Sequence, residues 1–260
     1  MKNEMNQLQA NAWNRKSTVE LYVADEEHYR HSDLFLQNHT EVKDAITFIL
    51  NGKITKQILN SEPKKNKSFK RRVEAKPLNF GIRKRFKNSP LKFKYEVTFE
   101  EGVFYDSLKT AGFDFGHIDN QYNLVNFRNL CFGRRALHNG SELWKTELGK
   151  RPLWKQISNK MNLKNEPVGI GIDVDFKKQT PTILGEIQFG NWGLVYRDIL
   201  KVIQIERDEE VDLFIYVTAT GVLADAISDG TVNFKKSKDV FEEYKNVLSM
   251  PIWLIGIDIK

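Results

Sequence analysis

The sequence of 260 residues contains a single cysteine, Cys131, which excludes an internal disulfide and a cysteine-built zinc cluster. No apolar run approaches the roughly 20 residues of a membrane span, so no membrane insertion is expected. The opening stretch, MKNEMNQLQANAWNRKSTVE, lacks the apolar segment of a secretory signal. With the lone thiol, this predicts a chain that stays in the reducing cytoplasm. Internal repeats are missing too. Acidic residues are scarce in one place above all: between Lys64 and Lys94, Glu74 alone opposes thirteen lysines and arginines, although the net charge of the chain is only +6.

What is present fits a soluble globular protein. The hydrophobic fraction is 40%, with five tryptophans, and the length suits one large domain or a core with an appendage. The basic stretch suits a polyphosphate partner. Pro63, Pro77, Gly81 and Pro90 argue against long regular elements within it and for a mobile or ligand-ordered arm. Residues 40–60 read as short helices, 91–108 alternate as a strand, and Ser141 is a plausible helix start. From Gly169 the pattern sharpens. It predicts a strand over 169–176, a turn around 177–181, a strand over 182–189 and a helix over 192–206. A buried strand over 211–220, a helix over KSKDVFEEYKNVL and a final strand PIWLIGIDI follow. The order β-β-α-β-α-β implies an α/β fold, a mixed β-sheet flanked by helices. The chain divides into a helical and basic region, 1–110, and a core, 111–260.

Residues two apart on a strand share a face, so Asp173 and Asp175 point one way, and Glu186 and Gln188 share a face on the next strand. If the turn pairs these strands, three carboxylates and an amide converge, and such charges repel unless a cation intervenes. An all-oxygen site of this kind suits Mg²⁺, which completes its shell with water and phosphate oxygens. A half-exposed hairpin carrying polar residues gives the same spacing. The basic stretch favours the metal reading, because hard-metal chemistry beside a phosphate-binding surface points to phosphodiester hydrolysis.

At these residues the sequence resembles a family. IDVDF, GEIQFGNW and YRDIL are similar to the core of type II restriction endonucleases of the PD-(D/E)XK superfamily, in the BglII/BstYI/BamHI-like group where the usual lysine is replaced. The resemblance covers about residues 169–206, continues faintly to 259, and implies a restriction-endonuclease-like core; it does not reach the basic N-terminal extension or subdomain, which is expected from its charge to contact DNA. It implies Asp175, Glu186 and Gln188 as catalytic residues, with Asp175, Glu186 and the Ile187 carbonyl holding Mg²⁺ and Gln188 orienting the attacking water. Asp173 stays open as a further ligand. The implied substrate is double-stranded DNA at a short palindrome, with a GATC centre suggested by the group, cut by a homodimer that matches the two-fold axis of the DNA. A repair or mobile-element nuclease on the same core, or an inactive DNA-binding module, are the alternatives.

Arg71, Arg72, Arg83, Lys84 and Arg85 are the expected DNA contacts of the basic run, with Arg134 and Arg135 further on as phosphate or guanine contacts. A solvated face would look the same. Phe69, Phe80, Phe86 and Phe93, interleaved with those charges, are expected to pack. DFG at 114–116 resembles a kinase metal motif, but without a Gly-rich loop it is set aside. His28, His31 and Asp33 read as an exposed helix face, and Cys131, despite His138 nearby, as a buried thiol.

Overall fold

The computed structural model describes residues 4–55, 58–65, 67–106, 112–163, 171–208, 211–227 and 230–260. The chain begins with β1 (Glu4–Met5) and α1 (Gln7–Arg15), the helix started by a capping box in which Asn6 and Gln9 each accept the other's backbone N–H. The long β2 (Val19–Tyr29) leads to α2 (Ser32–Asn38) and α3 (Thr40–Leu50). In α3, Val42, Ala45, Ile46, Ile49 and Leu50 recur at three and four spacing and are buried. His28 therefore belongs to a strand, stacked on Trp253, rather than to a helix face.

Next come β3 (Gly52–Ile54), β4 (Leu59–Pro63), β5 (Phe69–Val73) and α4 (Ala75–Lys87). This corrects the expectation of an irregular arm: the basic stretch contains a strand and a helix of 13 residues. Pro77 lies in the first turn of α4, where a missing N–H costs no helical bond. Gly81 lets the helix press onto β3, since a Cβ there would lie 2.9 Å from the Ile54 side chain. Leu78, Ile82 and Phe86 bury the inner face of α4.

A meander of β6 (Lys94–Glu100), β7 (Val103–Asp106) and β8 (Phe113–His117) precedes three helices, α5 (Asn120–Phe132), α6 (Gly140–Lys150) and α7 (Pro152–Lys160). The Asp119 carboxylate caps α5, and Pro152 starts α7. Phe127, Trp144 and Trp154 form the centre of a separate small core here, and Cys131 is buried in it as expected. The remainder is β9 (Ile183–Gln188), α8 (Leu194–Asp208), β10 (Leu213–Ala219), α9 (Gly221–Ala226), α10 (Phe234–Tyr244) and β11 (Ile252–Ile259).

Among the described residues one sheet has eight strands in the order β3-β2-β11-β10-β9-β8-β6-β7, and a smaller sheet has the order β1-β5-β4. The large sheet draws strands from both sides of residue 110. β9, β10 and β11 are mutually parallel and buried along their whole length, as their continuous apolar runs require. Alternate residues feed two cores. Ile183, Ile215, Val217 and Ile255 face α1, α3, α4 and α9; Leu184, Phe214, Tyr216 and Leu254 face α8 and α10. Each such side chain contributes about 1.5–3 kcal/mol by leaving water, which fixes the register of the central strands. The mixed α/β architecture matches the expected fold class.

The expected hairpin between 169–176 and 182–189 is not formed. Residues 169 and 170 lie outside the described residues, while 172–179 run without strand pairing. The segment is pinned to α5 instead. Asn129 exchanges two bonds with the Val174 backbone, at 2.9 and 2.8 Å, and Arg128 donates to the Ile172 carbonyl. The neighbours of β9 are β8 and β10.

Candidate active site

The β8–β9 ladder runs from His117–Ile183 to Phe115–Gly185 and stops. Continuing that antiparallel register places Asp114 opposite Glu186. Gly185 makes the close pairing possible, because the Phe115 ring occupies the space a Cβ would need. At the end of the ladder the strands part: β8 stays with β6, and the Asp114 carboxylate accepts the Ile187 N–H at 2.8 Å. A side chain thus replaces the backbone acceptor at the fork, and two carboxylates sit together in it.

Each carboxylate is held by a cation from an opposite face of the sheet. From α4, Arg83 pairs with Asp114 and also with Glu96 on β6. From α8, Lys201 bonds Glu186, stands 3.5 Å from the Asp198 carboxylate and 3.2 Å from the Gly112 carbonyl, and lies over the Phe113 ring. Glu186 is 3% exposed and Asp198 is fully buried. Burial pushes the Glu186 carboxyl up to about 8; the Asp114 charge adds to the rise and Lys201 opposes it. Burial also raises Asp114, with Arg83 opposing.

Gln188 shares the Glu186 face of β9, as its spacing predicts, but both ends of its amide are engaged by the protein. Its Nε2 donates to Asp198 at 3.0 Å and its Oε1 accepts the Gly190 N–H at 3.0 Å. The Tyr216 hydroxyl, opposite Glu186 on β10, donates to the same Asp198 at 3.4 Å. On the other face, Asn79 of α4 donates to the Ile187 carbonyl at 3.2 Å, and its buried Oδ1 has no hydrogen-bond partner among the described residues. A cleft of about 460 Å³ opens here, lined by Lys76, Asn79, Phe80, Arg83, Gln188 and Gly190. Phe80 is 60% exposed and projects at this cleft, contrary to the expectation that it packs. Phe86 and Phe93 do pack, on each other and on Phe115.

The structure brings Glu186, Ile187 and Gln188 together and places Asp173 and Asp175 elsewhere. Both are exposed on the segment pinned to α5. Asp173 accepts the Arg134 N–H at 2.9 Å, and both aspartates line a surface cleft of about 800 Å³ with Arg134 and Arg135. The separation has a physical reason: the strand that meets Glu186 comes from 72 positions earlier, and three helices fill the interval. Asn79, Asp198 and Lys201, which the structure places around Glu186 and Ile187, were not singled out, and Asp114 was set aside with the DFG motif. The signals for them were the Phe-Asp-Phe alternation of β8 and the i, i+3 pair on α8.

Of the expected DNA contacts, Lys84, Arg134 and Arg135 are exposed. Arg71 stacks on Trp13 at 5.3 Å and Arg72 pairs with Glu62 at 2.6 Å. Arg85 is turned inward. Its guanidinium donates to the carbonyls of Phe48, Ile49 and Asn51 at the end of α3 and of Lys53 in β3.

The oxygens at the fork fit a hard divalent cation: two carboxylates, the Ile187 carbonyl and the unpartnered Asn79 Oδ1 beside it. Among the described residues no three His, Cys, Asp or Glu side chains form a metal cluster, so uncharged oxygens would have to complete the set. No helix of the described residues is long and apolar enough to cross a membrane.

No curated protein sequence matches the chain. Its fold is similar to a crystal structure of restriction endonuclease BglII complexed with a DNA 16-mer, with a TM-score of 0.44 and 13% identity over 89% of this chain and 74% of that one. A crystal structure of free BglII gives a TM-score of 0.40 and 13% identity, over 89% and 77%. A family model described as restriction endonuclease BglII/BglIII matches residues 24–257. With that match spanning nearly the whole chain, around a fork of strands that carries paired carboxylates, the chain belongs to the BglII/BglIII family of type II restriction endonucleases, site-specific nucleases of DNA.

Proposed function

We propose that the fork between β8 and β9 is the hydrolytic centre, with Asp114 and Glu186 as its acidic pair and Mg²⁺ as its cofactor. The observation that carries this reading is Asp114 accepting the Ile187 N–H beside Glu186. Asp114, Glu186 and the Ile187 carbonyl would hold the ion, with Asn79 Oδ1 facing it directly or through water. Bound there, Mg²⁺ supplies Lewis-acid polarisation of the phosphate and a more acidic water. In the hydrolysis, water gives up a proton to solvent as its oxygen bonds to phosphorus, the P–O bond to one sugar oxygen breaks with its electron pair, and that oxygen takes up a proton from solvent. Glu186 is unsuited to act alone as base, because it is buried behind Lys201. Gln188 cross-braces β9 to α8 through Asp198, which keeps the Glu186 side of the fork in place.

Of the expected DNA contacts, Lys84, Arg134 and Arg135 are the exposed side chains suited to phosphate contact. The substrate is a double-stranded palindrome; a GATC centre follows from the sequence resemblance alone. A homodimer is the simplest assembly that presents two such forks to both strands. The test is plasmid DNA incubated with the protein with and without Mg²⁺. Discrete fragments in Mg²⁺ alone, lost in Asp114→Ala and retained in Asp175→Ala, are expected; cleavage by Asp114→Ala would overturn the site.

A further inference from the structure

We propose that Lys201, delivered from α8, is the working cation of this active site: it neutralises Glu186 while no metal is held, and turns to the scissile phosphate when one is. This rests on the acidic pair being the hydrolytic centre and names the residue that completes it.

An ammonium in this position has no packing reason to be there. Its side chain is 12% exposed, and taking a lysine out of water is costly unless its charge is used. Four groups hold it in place: Glu186, Asp198, the Gly112 carbonyl and the Phe113 ring. Asp198 is one helical turn away on the same face of α8, so the lysine is aimed at Glu186 by its own helix. Asp198 is steadied in turn by Arg197 at 2.9 Å, Gln188 and Tyr216.

The other groups near Glu186 are uncharged or already engaged, Arg197 by its two bonds to Asp198. Gln188, on the strand, is neutral and tied at both ends of its amide. Arg83 is engaged by Asp114 and Glu96. Lys201 is bonded to an oxygen of Glu186 that a metal would also use, so ligation of a metal there releases the ammonium within reach of the same fork. Hydrolysis gathers negative charge on the phosphoryl oxygens and on the leaving oxygen, and a pre-positioned ammonium stabilises that charge more than it stabilises the ground state.

The test uses the full-length protein and two variants, Lys201→Gln, which keeps a hydrogen-bonding side chain without the charge, and Lys201→Arg, which keeps the charge. Single-turnover cleavage at saturating DNA is measured beside two readouts independent of turnover: Mn²⁺ binding by calorimetry, and DNA binding without metal. Lys201→Gln should cleave about 100-fold or more slowly, bind Mn²⁺ at least as tightly as wild type, and bind DNA within about threefold. Lys201→Arg should recover about tenfold of the lost rate. Cleavage by Lys201→Gln near the wild-type rate, equal impairment of both variants, loss of Mn²⁺ binding in step with cleavage, or failure of Lys201→Gln to fold would each assign the lysine to structure and overturn the proposal. Failure of the underlying site reads differently: wild type would then bind no Mn²⁺, or Glu186→Gln would still cleave.

Discussion

The Asp114 carboxylate accepts the Ile187 backbone N–H at 2.8 Å, standing in for the strand carbonyl that would pair there if β8 and β9 stayed together. That substitution opens the sheet by one position and leaves two acids in the gap. A carboxylate placed so can hold a cation and the sheet at once, which gives its removal a sharp signature.

Asp114→Ala should lower cleavage by about 10³-fold or more while specific DNA binding survives, because its oxygens serve the chemistry rather than docking. Asp175→Ala should change the rate by less than about threefold under the same Mg²⁺ conditions. Fragment patterns on a gel and filter binding of the uncut site separate the two effects.

The raised carboxyls set a pH dependence of definite sign. Burial raises the Glu186 carboxyl above its ordinary value against the pull of Lys201, so the native state binds this proton more tightly than the unfolded chain does. Stability therefore falls as pH rises above the ordinary carboxylate range and levels off once the folded chain too has lost the proton. Asp114, also raised by burial, adds in the same direction. Glu186→Gln removes the larger part of this. Between pH 4 and pH 9 the stability difference should shift in favour of the variant by on the order of 1–3 kcal/mol, read from urea midpoints.

Arg85 and the pair Arg134 and Arg135 should separate cleanly. Arg85→Ala leaves four carbonyls, three at the end of α3 and one in β3, without this donor and should cost roughly 2–4 kcal/mol in urea unfolding. Arg134→Gln with Arg135→Gln should leave stability nearly unchanged. It should reduce the slope of log K against log salt by about 0.9 for each phosphate that the protein no longer neutralises.

Mixing wild type with excess Glu186→Ala tests assembly. If two forks act together on one site, mixed dimers cut one strand, and nicked circles should accumulate as the inactive chain is added. A product ratio that ignores the added chain, under conditions of subunit exchange, would show that each chain cuts alone.

The half of the fold from β9 to β11 was legible because its signals are local: three apolar runs too short for anything but buried strands, separated by stretches of helical period. The common face of Glu186 and Gln188 on β9 was legible for the same reason. The place of Asp114 beside Glu186 was not, since it is a register between strands separated by α5, α6 and α7, and periodicity carries no information across such a gap. Spacing and the resemblance of IDVDF both favoured Asp175, which is near Glu186 in sequence and on a different segment in the fold. α4 was hidden by Pro77 and Gly81, two residues that usually interrupt helices and here sit where one lacks a bond to lose and the other lets Ile54 approach.

β11 lies between β10 and β2, so Ile252 to Ile259 join a strand near the beginning of the chain to the strands that carry the fork. Pairing over such sequence distance is slow to nucleate, because the loop entropy must be met before the contacts reward it. Asp114 and Glu186 precede Ile252 in the chain, so the acidic pair is synthesised before the strand that joins the two halves of the sheet.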